Sequence, residues 1–84
     1  MTNDGQQAGR VAIVVGAAGE LGRATAVKLA DSGMTVVAVD RNEPGLEGLP
    51  DGIIREVTDA TDPHAVAPMV ERIVEDVGPP AYGA

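Results

Sequence analysis

Apolar positions along this chain fall into two contiguous β-branched runs and two helix-spaced stripes. Val11-Ala12-Ile13-Val14-Val15 is a short, continuously apolar stretch ending at Gly16, the pattern of a strand buried on both faces of a parallel sheet. Thr35-Val36-Val37-Ala38-Val39 repeats it and ends at Asp40. Between them, Gly22, Ala26, Leu29, Ala30 and Gly33 recur at i, i+4, i+7, i+8 and i+11. That spacing predicts a helix over Glu20 to Ser32, with Gly33 at its stop. Ile53 to Val57 reads as a third, weaker strand. Val66, Val70, Ile73 and Val77 then mark one face of a second helix, with Asp62 placed to cap it and Pro63 at its first position. Pro68 breaks that pattern, so this helix either begins later or bends in its first turns. The stretch from Arg41 to Gly52, with two prolines and little periodicity, predicts a loop with at most one helical turn.

Strands alternating with helices imply parallel pairing through right-handed crossovers. The expected fold is therefore α/β: a Rossmann-like three-layer half-domain, β-α-β-β-α, with a three-stranded parallel sheet in order 3-2-1. Residues 1–10 read as a flexible leader, 11–78 as a partial domain of this fold, and 79–84 as a tail where a fourth strand would begin.

The segment between the first strand and the first helix is Gly16-Ala17-Ala18-Gly19-Glu20-Leu21-Gly22, a G-x-x-G-x-x-G loop. A strand that must turn into a helix whose free N–H groups face a pyrophosphate needs this composition. Gly16 permits the turn, Gly19 lets the backbone approach the phosphates, and Gly22 lets helix and strand pack closely. Glycines serve ordinary tight turns as well. What raises the functional reading is Asp40, eighteen residues after Gly22, near the spacing of about 20 at which an acid meets the ribose hydroxyls. A carboxylate there repels a 2′-phosphate, which favours NAD over NADP. Arg41, next along the chain, is able to meet such a phosphate and leaves the preference leaning rather than settled. Asp40 is also a residue type common in turns.

These residues resemble the short-chain dehydrogenase/reductase family from about Arg10 to Gly78. Val14 to Ala26 is similar to the family's cofactor loop and first helix, and Asp40 to its ribose-binding acid. Asp59-Ala60-Thr61-Asp62 resembles the D-x-[TS]-D segment after the third strand. The resemblance implies that Asp59 meets the adenine amino group, with Ala60 beside the ring. Read without it, Asp59 and Asp62 are turn and cap residues. Glu20 stands where the commonest family loop has its middle glycine, and Val15 where it has threonine; Gly19 fits the variant of the sugar-epimerase branch. A carboxylate at Glu20 must point away from a pyrophosphate for binding to survive. The cofactor-binding set is thus Gly16, Ala18, Gly19, Glu20, Leu21, Gly22, Asp40, Arg41, Asp59 and Ala60, for NAD more than NADP.

Composition narrows the partners. The formal charge of −7, with Phe and Trp absent and Tyr82 the single tyrosine, disfavours nucleic acid and anionic membranes. The chain has no cysteine, which suits a cytoplasmic setting, and no internal repeat. The family's N-N-A-G strand would follow Gly78, with its Ser and Tyr-x-x-x-Lys beyond. Neither Lys28, inside the first helix, nor His64, nor Tyr82 supplies that chemistry, so no catalytic residue is assigned. The parent activity implied is hydride transfer between NAD(P) and an alcohol or carbonyl. The alternative is a stand-alone truncated module that binds nucleotide or self-associates, or a remnant that folds poorly. With three strands only, the edge of Val11–Val15 would lie open and favour a homo-oligomer joined along it.

Overall fold

A computed structural model describes residues 9–83; most of the expected leader, residues 1–8, lies outside the described residues. In chain order the elements are β1 (Val11–Val15), α1 (Glu20–Asp31), β2 (Thr35–Asp40), α2 (Glu43–Glu47), β3 (Ile54–Val57), α3 (Pro63–Asp76) and β4 (Pro80–Gly83). All strand pairs are parallel, and the sheet order is β3-β2-β1-β4.

The two apolar runs are continuous because both faces of the sheet are covered. Ala12 and Val14 of β1 and Val36 and Ala38 of β2 point to one face, where they pack with Ala26 of α1, Leu46, Leu49 and Ile53. Val11, Val37 and Val39 point to the other, against Met69 and Ile73 of α3. Alternation thus delivers the same strand to two separate cores. The stripe read for α3 packs here as expected, since Val66, Val70 and Val77 join this cluster. Met69, absent from that stripe, is one of its most buried members.

Two expectations need correction. The sheet has four strands, not three: β4 lies against β1, pairing Val11 with Pro80, Ala12 with Tyr82 and Ile13 with Gly83, with a register shift after the first pair. The edge of β1 is therefore not open, and self-association along it has no free strand to use. The stretch after Gly78, read as a tail where a fourth strand would begin, carries Pro79 and Pro80 and no apolar run, so it was not counted in the sheet. A proline at the first residue of a strand costs no ladder bond. In α3, Pro68 does not delay the helix, which starts at Pro63 with the Asp62 side chain accepting the His64 N–H at 3.0 Å. Pro68 and His64 are both exposed, so the carbonyl deprived of its helical donor faces water.

The turn from β1 into α1 is where the backbone is most constrained. Gly16 has φ 75, a conformation costly for any residue with a Cβ. Its N–H and that of Ala17 both donate to the Val39 carbonyl, at 2.9 and 3.2 Å, which ties the loop to the end of β2. A Cβ on Gly22 would overlap the Gly16 carbonyl oxygen. Backbone cannot yield as a flexible side chain does, so we expect Gly22→Ala to cost about 2–3 kcal/mol by overpacking. Urea unfolding followed by circular dichroism checks this, and an unchanged midpoint would contradict it.

Candidate functional site

The carboxyl ends of β1, β2 and β3 open into one cleft of about 240 Å³. Val15 and Gly16 supply its β1 wall, Val39, Asp40 and Arg41 its floor, and Thr58 to Thr61 the β3 side. Parallel strands place this cleft, because every β-to-α connection leaves the sheet at the same end.

Asp40 is the hub. Its side chain is half-buried, and both oxygens accept backbone N–H groups: Oδ2 from Ala18 at 3.0 Å and Oδ1 from Asn42 at 2.9 Å. One carboxylate therefore joins the glycine loop to the segment that starts α2. An ionised carboxylate offers about four acceptor positions, so two bonds leave capacity for hydroxyls. Its backbone carbonyl accepts the Thr58 N–H at 3.1 Å, which sets the start of the β3 wall.

Asp59 is stabilised differently. Its Oδ1 accepts the Thr61 hydroxyl at 2.6 Å and the Thr61 N–H at 3.0 Å. The hydroxyl first, then the amide, holds its carboxyl below the usual carboxylate range, and the charge of Arg41 acts in the same sense. Asp62 caps α3, as its turn-and-cap reading anticipated.

The structure brings together five of the ten candidate residues: Gly16, Asp40, Arg41, Asp59 and Ala60 line the cleft. Ala18 reaches it through its bond to Asp40. Gly19 is the N-cap of α1 and, unlike Asn42 in α2 and Asp62 in α3, provides no side-chain cap. A Cβ on Gly19 would meet nothing nearer than the Gly16 carbonyl oxygen at 3.5 Å; the fold itself does not demand glycine there. Leu21 is 82% exposed. Glu20 lines a groove along the outer side of α1 with Arg23, Ala24 and Val27, away from the Asp40 cleft. Gly22 is a packing residue. Thr58, buried in the cleft wall, was missed by sequence reasoning; the one signal was its place directly after a strand.

The short chain dehydrogenase family profile matches residues 10–79. This chain belongs to that family. It carries the family's nicotinamide-dinucleotide-binding portion. It is 34% identical to the 3-oxoacyl-[acyl-carrier-protein] reductase FabG of Thermotoga maritima, over 83% of this chain and 31% of that protein. Among solved structures, an NAD+-bound xylitol dehydrogenase superposes with a TM-score of 0.83 at 31% identity, covering 93% of this chain and 33% of the other. YwfH, an NADPH-dependent reductase of bacilysin biosynthesis, superposes with a TM-score of 0.76 at 31% identity, covering 82% and 33%. The chain spans about a third of the length of these relatives. No helix among the described residues is long and apolar enough to cross a membrane.

The Asp59–Thr61 pairing has a pH consequence. Because the folded carboxyl is acidified relative to the unfolded chain, its stabilising contribution is present above the unfolded value and is lost as pH falls through the folded one. Thr61→Val removes the hydroxyl donor and keeps the amide. Carbon-detected NMR titration of the Asp59 carboxyl is expected to show its midpoint rise toward the ordinary value. An unmoved midpoint would contradict the assignment of the hydroxyl as the main cause.

Proposed function

We propose that this chain binds NAD+ in preference to NADP+, as the cofactor site of an enzyme that moves hydride between a nicotinamide and an alcohol or carbonyl. The observation that carries this reading is the placement of the half-buried Asp40 carboxylate in a cleft it shares with Gly16 and with Asp59 and Ala60. The adenosine ribose fits there as a donor of two hydroxyls to the free acceptor positions of Asp40, whereas a 2′-phosphate would bring negative charge against it. Asp59 and Ala60 supply an acceptor and an unobstructed surface for adenine. Arg41 lines the same cleft, where its charge acts on Asp59.

The pyrophosphate is assigned to Ala18, Gly19 and the first turn of α1 at Glu20, Leu21 and Gly22. The Ala18 and Gly19 amides are engaged by Asp40 and by the Gly16 carbonyl. The helix start has no side-chain cap, so the amides of its first turn, Glu20 to Gly22, are left to meet an anion. Gly19 supports the assignment, since nothing among the described residues occupies the space above it. Glu20 faces the outer groove of α1, which spares the phosphates its charge. When bound, nicotinamide supplies the hydride chemistry; the residues here hold the adenosine and pyrophosphate end. The absence of cysteine fits a reducing cytosol.

Calorimetric titration with NAD+ and NADP+ tests the proposal. Saturable NAD+ binding that exceeds NADP+ binding is expected. Gly19→Ala is expected to weaken NAD+ binding by about tenfold or more while changing folding stability by no more than about 0.5 kcal/mol. Equal affinity for both cofactors would overturn the assignment of Asp40 as the selective residue. No binding by a folded sample would overturn the site itself.

A further inference from the structure

We propose that Gly45, in the short helix α2, positions the phosphate loop, and that its missing side chain sets where Ala18 and Gly19 stand when the dinucleotide arrives. The proposal rests on the reading of the Gly16–Gly22 loop as the pyrophosphate site. A carbon placed as Cβ on Gly45 would lie 2.6 Å from the Cβ of Ala18, far inside van der Waals contact. A Cβ has no rotatable bond of its own with which to escape. One of the two backbones must move, and the structure shows which.

Helix α2 is held at three places. At its start, the Asn42 N–H donates to Asp40 Oδ1 at 2.9 Å, and the Asn42 side chain accepts the Gly45 N–H at 3.2 Å. In its middle, Leu46 is fully buried in the core shared by β1, β2 and α1. Around its end, Arg55 donates from Nε to the Leu46 carbonyl at 2.9 Å and from Nη2 to that of Leu49 at 2.6 Å, and Arg23 of α1 donates to the Gly48 carbonyl. The loop at Ala18 is held by less. Gly16 and Ala17 are tied to Val39, but the next residue has the single bond from its N–H to Asp40 Oδ2 at 3.0 Å. Beyond it, Gly19 is exposed, and its N–H donates only within the loop itself, to the Gly16 carbonyl at 3.1 Å. Added bulk at position 45 is therefore absorbed by Ala18 and Gly19, at the helix start assigned to the pyrophosphate.

Four residues close a ring in which the effect propagates. Ala18 bonds Asp40, Asn42 bonds the same carboxylate, Gly45 bonds Asn42, and Gly45 abuts Ala18. Pushing Ala18 outward lengthens its bond to the carboxylate that meets the ribose, so both ends of the adenosine diphosphate are disturbed. The Cβ added at Gly45 would also lie 3.1 Å from Asn42 Nδ2 and 3.2 Å from its Cγ, in a side chain that can shift. Alanine is intrinsically better than glycine in a helix, so the loss does not come from melting of α2.

The test compares the wild-type chain with Gly45→Ala, Ala18→Gly and the double variant. NAD+ affinity is measured by calorimetry, and the backbone amide signals of residues 18 and 19 by 15N-correlated NMR without nucleotide. Gly45→Ala is expected to weaken NAD+ binding about tenfold and to shift both amide signals. Ala18→Gly removes the carbon that is struck, so the double variant is expected to regain affinity to within about threefold of wild type, with the Gly19 amide returning to its original position. A purely structural role would lower the melting temperature of Gly45→Ala and leave affinity below that temperature unchanged, which would overturn the proposal. A loss of affinity that Ala18→Gly fails to restore would overturn it too. If the wild-type chain binds no NAD+, the reading of the site fails and takes the affinity claim with it. A Gly19 amide unmoved in Gly45→Ala would instead overturn the coupling.

Discussion

The two hydrogen bonds accepted by the Asp40 carboxylate, from the amides of Ala18 and Asn42, connect the glycine loop to the start of α2. Remove them and the glycine loop keeps its ties from Gly16 and Ala17 to the end of β2 and the bond from the Gly19 N–H to the Gly16 carbonyl within the loop. The start of α2 would lose its anchor as well. Neutral hydrogen bonds contribute about 1 kcal/mol each, and those to a charged acceptor somewhat more. The larger effect is geometric, because two segments separated by more than twenty residues are referred to one side chain.

In the proposed reading that arrangement gives Asp40 two duties. It shapes the loop before any ligand is present, and it would keep acceptor positions for a ribose. A site organised in advance loses less entropy on binding than one assembled by the ligand. The same reasoning makes Asp40 a poor residue for separating stability from recognition by substitution. Gly19 separates them better, since the fold places no steric demand on it.

Much of this was legible in the sequence. The apolar runs 11–15 and 35–39 announce strands covered on both faces, and the glycine loop followed by Asp40 marks the residues on which the proposed dinucleotide site rests, because local spacing alone suggests both. The Asp62–Pro63 helix start was readable for the same reason. What stayed hidden depends on distance in the chain. The β4 pairing rests on backbone hydrogen bonds from a stretch with prolines and no apolar period, so the strand adjacent to β1 left no pattern. The contact of Gly45 with Ala18 joins two small residues, one in the short helix α2 and one in the glycine loop, and no periodicity marks either. Met69 lay one position short of the stripe that was read, though its burial equals that of Ile73.

The central claim is that the phosphate loop is held by Asp40 in the absence of cofactor. Native-state hydrogen exchange at the Ala18 amide tests it most directly. Ala18 sits in an irregular surface turn, where an amide without a partner exchanges at close to the rate of an open chain. The account predicts that it is protected to a similar degree as the Gly16 and Ala17 amides bound to Val39. Exchange at the unprotected rate, with Gly16 and Ala17 still protected, would contradict it.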